Sequence, residues 1–211
     1  MKRADVRKWA EHYELENFHI NRNGTVDVDG DVDIHYDRSI SIRKLPIQFG
    51  YVAGDFDASF SRLVSLAGSP REVGGNFICT WNDLTSLDGS PHEVGRVFDC
   101  SHNQLTSIDG CAQVVGTEFL CCDNVLSSLH GAPAKIGSVF WCRFNPELQN
   151  IEGLRTLPTR KKGTFMVDTG TLNDLVSFSS LDRIKEILSL NNFVLRTVRD
   201  YMYNDYVYYR E

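Results

Sequence analysis

The sequence predicts a repeat solenoid, in which short parallel strands stack coil upon coil. Two observations carry this. Phenylalanine recurs at Phe56, Phe77, Phe98, Phe119 and Phe140, always at an interval of 21 residues. Other columns keep step with it: Cys79, Cys100, Cys121 and Cys142, then Asn82, Asn103, Asn124 and Asn145, then Leu63, Leu84, Leu105 and Leu126, then Leu66, Leu87, Ile108 and Leu129. Ala58 and Ser61 hold the Cys and Asn places of the first unit, and the fifth unit slips after Asn145, so that Leu148 and Ile151 take the leucine roles. A short fixed period marks units that cannot bury an apolar face alone and do so by stacking.

Taken in chain order, Val6, Trp9, Ala10 and Tyr13 stand at helical spacing and predict an N-terminal helix. The stretch NFHINRNGTVDVDGDVDIHY follows, with Asn23-Gly24 as a two-residue hairpin turn between alternating strands. Val26, Val28, Val32 and Ile34 alternate with Asp27, Asp29, Asp31 and Asp33. Calcium would need the EF-hand loop spacing, which is absent; outward charges that protect edge strands explain the aspartates better. Residues 1–30 are read as an N-terminal cap of helix plus hairpin. GDVDI at 30–34 resembles GDFDA at 54–58, so one incomplete coil, with RKLPIQFG as its return path, precedes five clear ones over residues 31–154.

Within a coil, Phe and then Cys at period two describe a strand with one buried face. The consensus FxCxxNxLTSLxGxPxxVG resembles the leucine-rich repeat pattern LxxLxLxxNxL across residues 31–154, with Phe and Cys in the strand leucine positions. That resemblance implies a parallel sheet on a concave face, a ladder of Asn amides bonded to backbone groups of neighbouring turns, and an outward strand face used for binding. Gly89, Gly110, Gly131 and Gly153 fit a turn that needs positive φ, while Pro70, Pro91 and Pro133 favour an extended return. The convex side is therefore expected to be extended or 3₁₀, and mostly non-helical.

Residues 155–211 read as a C-terminal helical cap. GTFMVD is a last strand, Ser180 an N-cap before Leu181, Ile184, Ile187 and Leu188, and a second helical pattern runs through Val194, Val198, Tyr201 and Met202.

The cysteines invite a metal or redox reading, but metal binding needs ligands converging on one point, and a linear file of inward thiols does not converge. Free Cys behaves as a small buried hydrophobe. Cys111, in a turn, and Cys122, on the opposite strand face from Cys121, are expected to be partly exposed. The CCDN context gives Cys122 an acid rather than the base and electropositive setting that a nucleophilic thiol needs. No GxGxxG, P-loop, nucleophile elbow, HExxH or paired-Cys metal signature occurs, so no catalytic residue, metal or cofactor is expected.

Binding is the remaining reading. On the outward strand face the sequence places Asp57, Ile78, Asp99, Leu120 and Trp141, followed after the Cys column by Phe60, Trp81, His102, Asp123, Arg143 and Phe144. Interfaces favour Trp, Tyr and Arg at their centres, so Phe60, Ile78, Trp81, Asp99, His102, Leu120, Asp123, Trp141, Arg143 and Phe144 form the candidate partner-binding set. A formal net charge of −6 and a pI near 5.5 argue against nucleic acid. No apolar run approaches the ~18–20 residues of a membrane span, and MKRADVRKWAEHYELENF is no signal peptide, so a cytoplasmic protein is expected, and separately a monomer rather than an oligomer.

The Cys-bearing version with GTVDVDGDVDI before it is similar to small leucine-rich repeat proteins of large tailed bacteriophages. That resemblance implies a viral protein acting in a bacterial cytoplasm by binding a host protein, such as a defence component. Two alternatives stay open: an enzyme or effector with chemistry in the C-terminal cap or near Cys122, and a structural or virion-associated role.

Overall fold

In the computed structural model, which describes residues 3–34, 42–154, 163–178, 181–190 and 193–198, the repeated units wind into a parallel β-solenoid of about six turns. The chain runs α1 (Arg3–His12), β1 (Phe18–Ile20), β2 (Val26–Val28), β3 (Val32–Asp33), β4 (Phe49–Val52), β5 (Phe56–Asp57), β6 (Glu72–Val73), β7 (Phe77–Ile78), β8 (Glu93–Val94), β9 (Phe98–Asp99), β10 (Val114–Val115), β11 (Glu118–Leu120), β12 (Lys135–Ile136), β13 (Val139–Trp141), β14 (Gly163–Asp168), α2 (Thr169–Phe178), α3 (Leu181–Leu190) and β15 (Phe193–Val198).

These strands make two sheets. The phenylalanine sheet has the order β15-β14-β13-β11-β9-β7-β5-β3, and the valine sheet β1-β2-β4-β6-β8-β10-β12. Every pairing is parallel except β1 with β2. Registers join like to like, Phe56↔Phe77↔Phe98↔Phe119↔Phe140 in one sheet and Val73↔Val94↔Val115↔Ile136 in the other. The VG stretch is thus more than an extended return path: it forms a hydrogen-bonded sheet of its own. Glycine is required at that corner. A Cβ on Gly95 would lie 2.1 Å from the Gly74 carbonyl oxygen, and one on Gly116 1.8 Å from that of Gly95, because consecutive coils nest backbone on backbone there.

The core is the sum of the inward columns. Phe56, Phe77, Phe98, Phe119, Phe140 and Phe165 are fully buried and stack with centroids 5.2–5.6 Å apart. Phe49 closes this spine at one end and Phe193 at the other. The leucine columns are buried throughout, including the slipped pair Leu148 and Ile151.

Each coil must satisfy backbone groups at its strand-ending turn, where no sheet partner is in line. The Asn column does this. Asn124 accepts from the Leu105 amide at 3.0 Å and donates to the carbonyls of Cys100, Cys121 and Cys122 at 3.2, 3.3 and 3.0 Å. Asn82, Asn103 and Asn145 repeat the pattern. The ladder ends at Asp168, which accepts from the Thr171 amide at 2.9 Å and so caps α2. The Asp168 carboxylate also accepts from the Thr171 hydroxyl and the Phe144 amide, while the Asn145 amide donates to the Thr171 hydroxyl.

Several expectations are corrected. The hairpin between β1 and β2 closes at Asn21–Thr25, with the Asn21 amide donating to the Thr25 carbonyl and Gly24 at φ +89°, so its loop is three residues rather than two. β2 is paired on both sides, so Asp27 is not edge protection: Asp27, and Asp31 ahead of β3, accept the amides of Tyr51 and Asp55 in the next coil at 2.9 and 2.7 Å, whereas Asp33 does lie in an edge strand, β3. Gly89, Gly110 and Gly131 have positive φ, whereas Gly153 is needed because a Cβ there would sit 1.8 Å from the Leu129 carbonyl. Helix α2 was not expected. Val194 and Val198 lie in strand β15, not in a helix; residues four apart fit either period once a strand is this short. Ser180, Tyr201 and Met202 lie outside the described residues.

Candidate functional site

The turn that follows each of β5, β7, β9, β11 and β13 puts one residue into the left-handed region just before the ladder position, Ser61 in the first of them and Asn in the rest. Those residues are Phe60, Trp81, His102, Asp123 and Phe144, with φ of 55°, 54°, 56°, 49° and 52°. A bulky residue at positive φ is an outlier in proteins generally. Here the same outlier recurs in five successive coils, because the chain must turn sharply to bring the next residue, Ser61, Asn82, Asn103, Asn124 or Asn145, into the ladder. The left-handed backbone aims the side chain away from the core, and stacking brings successive side chains together on the surface.

The result is a row. Phe60 and Trp81 stack at 5.6 Å between centroids with planes 8° apart, and Trp81 and His102 at 4.0 Å and 12°. His102 Nδ1 then lies 3.5 Å from Asp123 Oδ2. In the next coil the Arg143 guanidinium sits 4.9 Å over the Phe144 ring. Trp81 is 40% exposed and Phe60 38%, large values for aromatic side chains on a well-packed scaffold.

Beside this row runs the outward column of the strands themselves, in register Asp33↔Asp57↔Ile78↔Asp99↔Leu120↔Trp141. Ser59, Thr80, Ser101 and Cys122 lie in the chain between the two columns, and all four are buried. The candidate residues separate accordingly. Phe60 and Trp81 are exposed; His102, Leu120, Asp123, Trp141 and Phe144 are half-buried; Ile78, Asp99 and Arg143 are buried. Rungs of a sheet lie about 4.8 Å apart, so an outward side chain loses most of its surface to the neighbours above and below. Trp141 is further tethered, its indole N–H donating to Glu118 at 3.2 Å.

The thiols are placed for packing. Cys79, Cys100, Cys121 and Cys142 are fully buried, and the first three donate to the carbonyls of Asp99, Leu120 and Trp141 in the next coil at 3.4, 3.2 and 3.2 Å. Cys111 and Cys122, expected to be partly exposed, are buried too. Cys111 donates to the Gly131 carbonyl, and Cys122 accepts from the Arg143 amide. Burial pushes the thiols of Cys79, Cys100 and Cys121 well above their ordinary value, with nearby carboxylates or thiols adding to it. Burial does the same to Cys122, although the Arg143 amide and guanidinium oppose it. A protonated buried thiol is a poor nucleophile and a poor metal ligand. Among the described residues no group of three or more His, Cys, Asp or Glu is placed to hold a metal ion, and no helix is long and apolar enough to cross a membrane.

What sequence reasoning missed is the left-handed column as such. An aromatic residue argues against positive φ, so the only available signal was its position immediately before the repeated Asn. Compared with family models, curated proteins and solved structures, the chain matches none.

Proposed function

We propose that the protein is a non-enzymatic recognition module that binds another protein through the outward side of its phenylalanine sheet. One observation carries the reading. A left-handed backbone costs an L-residue about 1–2 kcal/mol, and Gly or Asn would reduce that cost. At three consecutive rungs the chain instead carries Phe60, Trp81 and His102, stacked into one partly exposed row. Contact with a partner is a use for such rings that stability alone does not supply.

The leucine-rich repeat resemblance, and within it the similarity to small proteins of tailed phages, directs the search for that partner to bacterial host proteins, defence components among them, and to the bacterial cytoplasm. Burial of every cysteine weighs against a nucleophilic thiol and favours binding over catalysis. The test is co-purification from bacterial lysate with the wild type and with Phe60→Ala/Trp81→Ala. A partner recovered by the wild type and lost by the variant supports the reading; equal recovery of every protein rejects this face.

A further inference from the structure

The row also defines the chemistry of what it contacts. Both faces of Trp81 are occupied, by Phe60 on one side and His102 on the other, so a cation cannot sit over the indole face. What Trp81 presents is its edge. Ring edges in line make an apolar ridge, and a ridge suits the aliphatic stems of long side chains better than another flat ring.

Carboxylates flank the row along the chain, Asp57 three residues before Phe60 and Asp83 two residues after Trp81. Asp57 is half-buried and fixed by the Ser59 amide, which donates to its Oδ1 at 2.8 Å. Asp83 is exposed. In the three segments that carry the row, 57–62, 78–83 and 99–104, the charged residues are Asp57, Asp83 and Asp99 against Arg62. Asp33 is the cross-strand neighbour of Asp57, and Asp123 ends the row at His102. A second copy of this chain would bring the same sign of charge, on a molecule already at −6.

Resting on the reading of the row as a protein-contact face, we propose that its occupant is a cationic protein segment. Arg or Lys stems lie along the edges of Phe60 and Trp81, and their charged heads reach Asp57 and Asp83.

The test uses the full chain with Trp9→Phe and Trp141→Phe, which leaves Trp81 as the sole tryptophan. Its emission is titrated with a synthetic peptide alternating Arg and Ala, and with counterparts carrying Gln or Glu in place of Arg. The Arg peptide should shift the emission saturably, the Gln peptide should bind at least about tenfold more weakly, and the Glu peptide should not bind. Asp57→Asn/Asp83→Asn should weaken the Arg peptide by a similar factor at an unchanged melting temperature; should Asp57→Asn unfold the chain, Asp83→Asn alone carries the test. Equal binding of the Arg and Gln peptides, an unchanged affinity in the Asn variants, or no response to any peptide overturns the proposal. A lysate partner that depends on Trp81 but shows no preference for charge would sink the cationic assignment alone, whereas no Trp81-dependent partner at all would sink the contact face with it.

Discussion

The two sides of the phenylalanine sheet obey opposite rules. Inside, Phe98, Cys100 and Asn103 have near-identical counterparts a coil above and below, and each is packed or bonded by them. Outside, the same strands carry Asp57, Ile78, Asp99, Leu120 and Trp141 in one column and Phe60, Trp81, His102, Asp123 and Phe144 in the other. The difference teaches where selection on stability stops. A column that must stack to form the core is held to one residue type, while a column free to vary within the same geometry carries the molecule's individual chemistry.

The largest effect on that contrast should come from the spine. Phe98→Ala removes a fully buried ring stacked on Phe77 and Phe119, and is expected to cost about 3–5 kcal/mol, read as a drop in the urea midpoint. The ladder comes next. Asn124→Ala leaves the Leu105 amide without its acceptor, while the carbonyls of Cys100, Cys121 and Cys122 lose one donor each and keep Asn103, Asn145 and the His102 amide; a buried group so orphaned costs about 1–3 kcal/mol, and a loss in that range is expected. Gln104→Ala, on an exposed side chain, is the control and should change little. Ser101→Ala would be a poor control, since Ser101 is buried and its hydroxyl accepts the Cys122 amide at 3.1 Å. Equal midpoints for Asn124→Ala and Gln104→Ala would contradict the ladder.

The inner columns were legible in the sequence because each is defined by identity at a fixed interval: Phe, Cys, Asn and Leu announce coil, strand and turn. The valine sheet was less legible. Its repeated strands β6, β8, β10 and β12 are two residues long and are followed directly by glycine, with no second inward apolar residue like the Cys that follows Phe at period two in the other sheet. Helix α2 was hidden because Asp168 reads as the end of a strand, and its N-cap role appears only once the Thr171 amide is seen to reach it. Outside, the strand and turn columns that the sequence points away from the core differ widely in exposure. Ile78, Asp99, Cys122 and Arg143 point outward yet are buried, since rung spacing, not side-chain direction, sets what remains accessible.

The end of the ladder gives a pH-dependent version of the same contrast. Burial works to raise the Asp168 carboxyl, but the Thr171 hydroxyl and the amides of Phe144 and Thr171 outweigh it and hold it below the usual carboxylate range. A carboxyl lowered in the folded state contributes stability above its unfolded value, about 3.9, and that contribution is lost as pH falls through the lower folded value. Acid should therefore destabilise the wild type below about pH 4 more than Asp168→Asn, which cannot be protonated there. Parallel acid profiles for the two proteins would remove Asp168 as a source of that dependence.

Trp81→Asn should cost less stability than either Phe98→Ala or the loss of a ladder Asn, and that contrast is the point. The substitution gives up ring contacts with Phe60 and His102, stacking that is worth about 0.5–1.5 kcal/mol per pair. Against that, Asn tolerates the left-handed backbone at φ 54° far better than Trp does, which returns about 1–2 kcal/mol. The two terms partly cancel, so the urea midpoint should move by no more than the equivalent of about 2 kcal/mol, while any binding through the row should be lost. A destabilisation approaching that of Phe98→Ala would mean that the row is a second spine laid on the surface. Its exposed rings would then be explained by stability, and the reason for reading them as a contact face would disappear.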